Sequence, residues 1–166
     1  MLYRTKTYIA GEWDGDQDAI EQLHTWNESK YWDFSFTDAH DITQARDSSL
    51  NCNIKSSLAT RLNASKTFVL IVGNNTKAAR SGGCRYCDSY NSLSSQCDRG
   101  YSVDHRSYIE YECDKALKDD LNIIVLYNAT TINKSKCPDV LKGVGTHTAM
   151  RSTHGWDYLA VKNALN

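Results

Sequence analysis

Asp104-His105-Arg106-Ser107-Tyr108-Ile109-Glu110-Tyr111-Glu112-Cys113-Asp114-Lys115-Ala116-Leu117 runs into the apolar segment Leu121-Asn122-Ile123-Ile124-Val125-Leu126-Tyr127. In the first part Ile109, Cys113, Ala116 and Leu117 recur at helical spacing and form one apolar stripe. Asp104 stands where a carboxylate can cap the helix N-terminus, so the helix is expected to start from it. Tyr108 and Glu112 lie one turn apart beside the stripe, and the 3.6-residue repeat places His105 on the same edge. A ring, a carboxylate and an imidazole are thus expected along the border between the buried face and solvent. The second part reads as a wholly apolar strand.

The same helix-then-strand pattern precedes it. Leu50, Ile54, Leu58 and Leu62 recur every four residues, with Ser48 as the expected cap, and Lys66-Thr67-Phe68-Val69-Leu70-Ile71-Val72-Gly73 follows. A strand apolar on both faces belongs in the middle of a parallel sheet. Nearer the start, Lys6-Thr7-Tyr8-Ile9-Ala10 is the first strand and Gly11 to Asp16 a turn. Ile20, Leu23 and Trp26 then mark an amphipathic helix capped by Asp14 or Asp16. Tyr31 to Phe36 alternates aromatic with polar residues, as a half-exposed second strand does, and Thr37-Asp38-Ala39-His40-Asp41 closes it. Strands alternating with helices over short connections predict a three-layer α/β fold built on an open parallel sheet. In such a sheet ligands collect outside the carboxyl ends of the strands, which makes Asp38 and His40 candidates for ligand contact as well as ordinary turn residues.

Downstream, Cys137-Pro138 and the glycines at 143 and 145 mark turns around a short helix. Thr146 to Met150 reads as a short fifth strand, and Trp156, Leu159, Ala160 and Leu165 as a closing helix. The chain of 166 residues has room for one domain with one sizeable core, spanning 1–166. Its formal net charge of −1 provides no basic field for nucleic acid. The apolar runs are strand-length, too short to span a membrane, and the start lacks a signal-peptide pattern, so a cytoplasmic location is expected. The first strand leads into neither a P-loop nor a Gly-x-Gly-x-x-Gly turn, and no Gly-x-Ser-x-Gly elbow is present. Gly73-Asn74 stands where a receiver domain would need its phosphoacceptor Asp.

From about 74 to 104 the periodicity disappears, over a length that suggests a functional insertion or disorder. Six cysteines in a chain without an export signal are expected to be reduced. Cys113 and Cys52, both on helices, read as small packed hydrophobes. Cys84-x-x-Cys87 can place two thiolates on one metal, and Cys97 and His105 can complete a structural Cys₃His zinc site; free loop cysteines are the competing reading. Arg80, Arg85 and Arg99 on the same loop are either pyrophosphate contacts or solvated side chains.

The strand and helix order, together with Tyr108-x-x-x-Glu112, resembles the Toll/interleukin-1 receptor (TIR) fold, more closely the bacterial TIR-like proteins of Thoeris anti-phage systems. The resemblance covers roughly residues 3 to 150 and implies a flavodoxin-like strand order of 2-1-3-4-5. Enzymatic TIR domains carry Trp-x-x-x-Glu on this helix; Tyr108 replaces the Trp and keeps a ring that can stack. By this resemblance Glu112 is the catalytic residue of NAD cleavage, the glycohydrolase or cyclase reaction that yields a nucleotide signal. Tyr108, Asp38, His40 and His105 border the substrate. The turn after the first strand lies beside the nucleotide pocket, where Trp13 either stacks on a ring of NAD or folds back onto the core, and Asp14 can accept ribose hydroxyls. The implied partners are NAD or a related nucleotide, further copies of the chain and a nucleotide-sensing effector protein. A TIR-like interaction or nucleotide-sensing module without turnover is the alternative.

Overall fold

The structure, a computed structural model, describes residues 4–30, 32, 36–37 and 50–166. In chain order the elements are β1 (Lys6–Ala10), α1 (Trp13–Glu28), α2 (Asn51–Asn63), β2 (Ser65–Val72), β3 (Tyr90–Asn91), β4 (Gln96–Cys97), α3 (Tyr108–Lys118), β5 (Asn122–Tyr127), β6 (Thr146–Ala149), β7 (Arg151–Ser152), β8 (Gly155–Trp156) and α4 (Tyr158–Leu165). Four strands form one parallel sheet in the order β1-β2-β5-β6. Central β2 aligns Phe68 with Tyr8 on one side and with Ile123 on the other.

Because side chains alternate along a strand, each central strand feeds two cores. Tyr8, Phe68, Leu70, Ile123 and Val125 point to the layer that also holds Leu62 of α2 and Ile109, Cys113 and Ala116 of α3. Ile9, Val69, Ile71, Ile124 and Leu126 point to the opposite layer, with Ala19, Ile20, Leu23 and Trp26 of α1 and Val161 of α4. The expected three-layer α/β architecture is therefore present. The four strands occupy the places of the first, third, fourth and fifth in the expected order. The expected second strand lies largely outside the described residues, although the Thr37 carbonyl accepts the Thr7 N–H at 2.7 Å, beside β1.

Several local expectations are corrected. Helix α3 starts at Tyr108, with Ser107 as its cap: the Ser107 hydroxyl accepts the Glu110 N–H, and the Glu110 carboxylate accepts the Ser107 N–H. Such a reciprocal box satisfies two N-terminal donors at once, which a single Asp at 104 cannot do. The Asp104 carboxylate instead takes Arg106 at 2.9 Å and Lys55 at 3.4 Å, and the Arg106 hydrogen bonds hold it well below the usual carboxylate range. His105 accordingly lies off the helix, exposed, with its ring edge-on to Tyr90 at 5.7 Å.

At α1 the cap is Glu12, whose carboxylate accepts the Gly15 N–H at 2.6 Å, rather than Asp14 or Asp16. Asp16 is buried at a kink in that helix and accepts the Asn128 side-chain amide at 3.0 Å. Leu50 occupies the cap position of α2, Ser48 lying outside the described residues. Trp156 belongs to β8 instead of the closing helix. Cys113 is fully buried, as expected, but Cys52 is only partly so.

The caps and the core set distinct scales of stability. Ser107→Ala is expected to lower unfolding free energy by about 1 kcal/mol. Leu70→Ala, in a fully buried position of β2, is expected to lower it by about 2–5 kcal/mol. Urea unfolding of the two variants beside the parent chain measures both.

Candidate functional site

Parallel strands deliver their following loops to one edge of the sheet, and β1 and β2 are neighbours. The Gly11–Asp14 turn and the loop from Asn75 to Ser81 therefore emerge side by side. The opening turn of α3 and the Ile54 and Leu58 face of α2 close the remaining walls, leaving a cavity of about 550 Å³. That lies within the roughly 300–1,000 Å³ of ordinary small-molecule sites.

Of the residues singled out from the sequence, Trp13, Asp14, Tyr108 and Glu112 all line this cavity. Trp13 is 55% exposed, so its ring stands at the mouth and does not fold back onto the core. His105 is not among the lining residues and faces the insertion instead. Asp38 and His40 lie outside the described residues.

Tyr108 is fixed from two directions. Its hydroxyl donates to the Asn51 side-chain carbonyl at 3.2 Å, and the Asn51 amide donates onward to the Gly83 carbonyl at 3.1 Å. On the other side Gly82, at φ +104°, packs so closely that a Cβ there would stand 2.6 Å from the Tyr108 ring. Only glycine combines that backbone angle with that approach.

Glu112 is 7% exposed and is one of the residues lining the cavity. Burial pushes its pKa up to about 8, against the opposing pull of a hydrogen bond from the Tyr8 hydroxyl and the charge of Arg61. Burial raises Tyr8 in turn, helped by the Glu112 charge. The carboxyl is thus neutral in the free protein at pH 7, and a cation brought beside it would favour loss of its proton.

Tyr8, Asn51 and Gly82 were not assigned to a site from the sequence. Tyr8 read only as a strand aromatic, and its place opposite Glu112 comes from the register of β1 with β2 and the seating of α3. The Gly82-Gly83 pair was the one signal in the sequence, since adjacent glycines mark a backbone under steric demand. Of the residues in the zinc expectation, Cys84, Cys87 and Cys97 line one small cavity that His105 does not line, and among the described residues no three His, Cys, Asp or Glu side chains stand at metal-holding separation.

The open parallel α/β sheet, with its cavity at the carboxyl ends of the first two described strands and beside the Tyr108-x-x-x-Glu112 helix, is an architecture like that of TIR domains. Residues 8–81, just under half of the chain, match the family described as Thoeris protein ThsB, TIR-like domain, and the recognition made from the motifs stands. The matched segment ends before α3. No curated protein matches the chain. Among solved structures it is similar to a metazoan TIR-STING receptor from C. gigas in complex with 2′,3′-cGAMP. The TM-score is 0.57 at 10% identity, over 99% of this chain and 40% of the receptor. The likeness speaks to the fold alone, and the chain spans well under half of that receptor's length. Among the described residues no helix is long and apolar enough to cross a membrane.

The Glu112 proton leaves a mark on stability. The folded carboxyl holds its proton up to about pH 8, whereas an ordinary glutamate releases it near 4.5. Between those values the folded state binds more protons than the unfolded state, so stability falls as pH rises through the window. Glu112→Gln is expected to flatten that decline, which thermal unfolding of the two proteins from pH 4 to 9 tests.

Proposed function

We propose that the cavity is the substrate site of an NAD-cleaving enzyme and that Glu112 is its acidic centre. The observation that carries this reading is a single buried carboxyl in the wall of a cavity that also presents two aromatic rings, Trp13 and Tyr108. The TIR-like fold and the family matched over residues 8–81 add to it.

The chemistry suits the site. Nicotinamide bound through its ring nitrogen is a cation, and its ring can stack on Trp13 or Tyr108. Its charge lowers the pKa of the adjacent Glu112, which sheds its proton to solvent and becomes the carboxylate that an oxocarbenium ion requires. As the C1′–N bond breaks, the bonding pair returns to the ring nitrogen and nicotinamide leaves neutral, with no acid needed. Positive charge passes to C1′ and O4′ of the ribose, facing Glu112. Water attack, with loss of one proton, gives ADP-ribose. Attack by a nucleophilic atom of the same dinucleotide gives a cyclic isomer, and exclusion of water decides between them. In this reading Asp14, which lines the cavity, accepts ribose hydroxyls.

In this reading the product is a nucleotide signal in anti-phage defence, received by an effector protein, and assembly of several copies completes the active form. Asp38 and His40 remain proposed substrate contacts, whereas His105, which does not line the cavity, is not carried forward as one. One feature of the site favours a different reading, a TIR-like module that binds nucleotide or partner without turnover: the Glu112 carboxyl is buried, hydrogen-bonded to Tyr8 of the core and pushed up to a pKa of about 8. A glutamate held that way also serves packing.

Nicotinamide release from NAD by concentrated protein, followed by chromatography, separates the readings. Glu112→Gln is expected to lower turnover by about 100-fold or more while the fold is retained. For the parent chain, kcat/KM is expected to climb with pH toward a plateau above about 8, because the free enzyme must first lose the Glu112 proton. Equal turnover by parent and variant would assign Glu112 to packing.

A further inference from the structure

Residues 73–107 form a long connection between β2 and α3, and its outer part is ordered without a core. From Cys84 through Arg106 no residue is buried. Its only regular elements are one turn of 3₁₀ helix at Cys84–Tyr86 and the β3–β4 ribbon, with two residues in each strand. A ribbon that short has no independent stability in water, and a shell without buried apolar surface requires a staple of another kind.

The cysteines supply one. Cys84 opens the 3₁₀ turn, Cys87 caps its end and Cys97 lies in β4. They line a small cavity together with Cys52, which reaches it from the first turn of α2. The cavity volume of about 20 Å³ is that of a single water or ion. All of these thiols are free. The Cys87 N–H donates to the Cys84 carbonyl at 3.0 Å, closing the tight turn that a Cys-x-x-Cys pair uses to direct two sulfurs at one point. The Cys84 sulfur accepts the Asp104 N–H at 3.1 Å, which fixes its position at the base of the insertion.

We propose that Cys52, Cys84, Cys87 and Cys97 form a structural zinc site that staples the insertion to α2. As placed, no three of them stand at metal-holding separation, so zinc must draw the sulfurs inward by side-chain rotation as the thiols lose their protons. Four thiolates satisfy a tetrahedral ion and leave no open position, which makes the site structural. Cys52 and not His105 is the fourth ligand in this proposal: Cys52 lines the cavity, whereas His105 does not and packs its ring on Tyr90, one of the lining residues. The staple bears on the larger cavity as well. Cys52 follows Asn51, the residue that joins the Tyr108 hydroxyl to the Gly83 carbonyl.

The test uses the full chain, purified under reducing conditions without chelator and dialysed, with zinc measured by elemental analysis and thiols counted with a colorimetric reagent. The expected result is one zinc per chain for the parent and for His105→Ala, and loss of that zinc in Cys52→Ser. Cobalt added to the zinc-depleted chain guards against a variant that fails to fold. Thiolate-to-cobalt charge-transfer absorption with tetrahedral visible bands supports the site in the parent. No stoichiometric metal in the parent, cysteines recovered as disulfides, or zinc lost in His105→Ala but kept in Cys52→Ser would each overturn it.

Discussion

The molecule depends on β2 being hydrogen-bonded on both edges and apolar on both faces. Each backbone group in its middle is satisfied by β1 or β5, and each side chain is removed from water by a helix layer. That strand aligns β1 with β5, which in turn brings Tyr8, Phe68 and Val125 onto one face. Helices α2 and α3 settle on that face because it is where their apolar stripes can be buried. The cavity is a by-product of this arrangement. Loops leaving the adjacent β1 and β2 diverge, and the space between them is bounded by the two helices.

Burying Glu112 in that wall sets packing against charge. The helix stripe draws the position inward, and removal from water penalises the ionised carboxyl until its proton is retained near neutrality. The Tyr8 hydroxyl and the Arg61 charge return only part of the lost solvation. A positive charge brought beside the carboxyl would return more. Tyr108 is not left to choose its own rotamer, being held by Asn51 at its hydroxyl and by Gly82 against its ring.

The insertion is joined to this framework by polar contacts. Buried Lys55 of α2 donates to the Arg106 carbonyl at 2.7 Å and pairs with Asp104, and Arg106 spans Asp104 and Asp114. The Lys55 ammonium and the Arg106 guanidinium both lie over the Tyr111 ring, at 5.7 and 5.1 Å from its centre. These contacts fasten the end of the insertion that leads into α3. The Cys84–Cys97 part lies beyond them, without buried apolar surface of its own.

What the sequence determined by itself was whatever repeats locally. Apolar runs at 66–72 and 121–127 became β2 and β5, the stripe at Ile109, Cys113 and Ala116 became the buried face of α3, and the alternation of elements became a parallel α/β sheet. The motif Tyr108-x-x-x-Glu112 was visible for the same reason: one helical turn places both side chains on one wall. Even locally, the Ser107–Glu110 box displaced Asp104 as the cap, since two reciprocal bonds outweigh one. Only the tertiary structure decided that Tyr8 meets Glu112, that Asn51 holds Tyr108, and that Cys52 lines the same small cavity as Cys84, Cys87 and Cys97. These partners stand dozens of residues apart, and no periodicity links them. They meet through strand register and the packing of α2 and α3 on one sheet face, which the whole chain settles together.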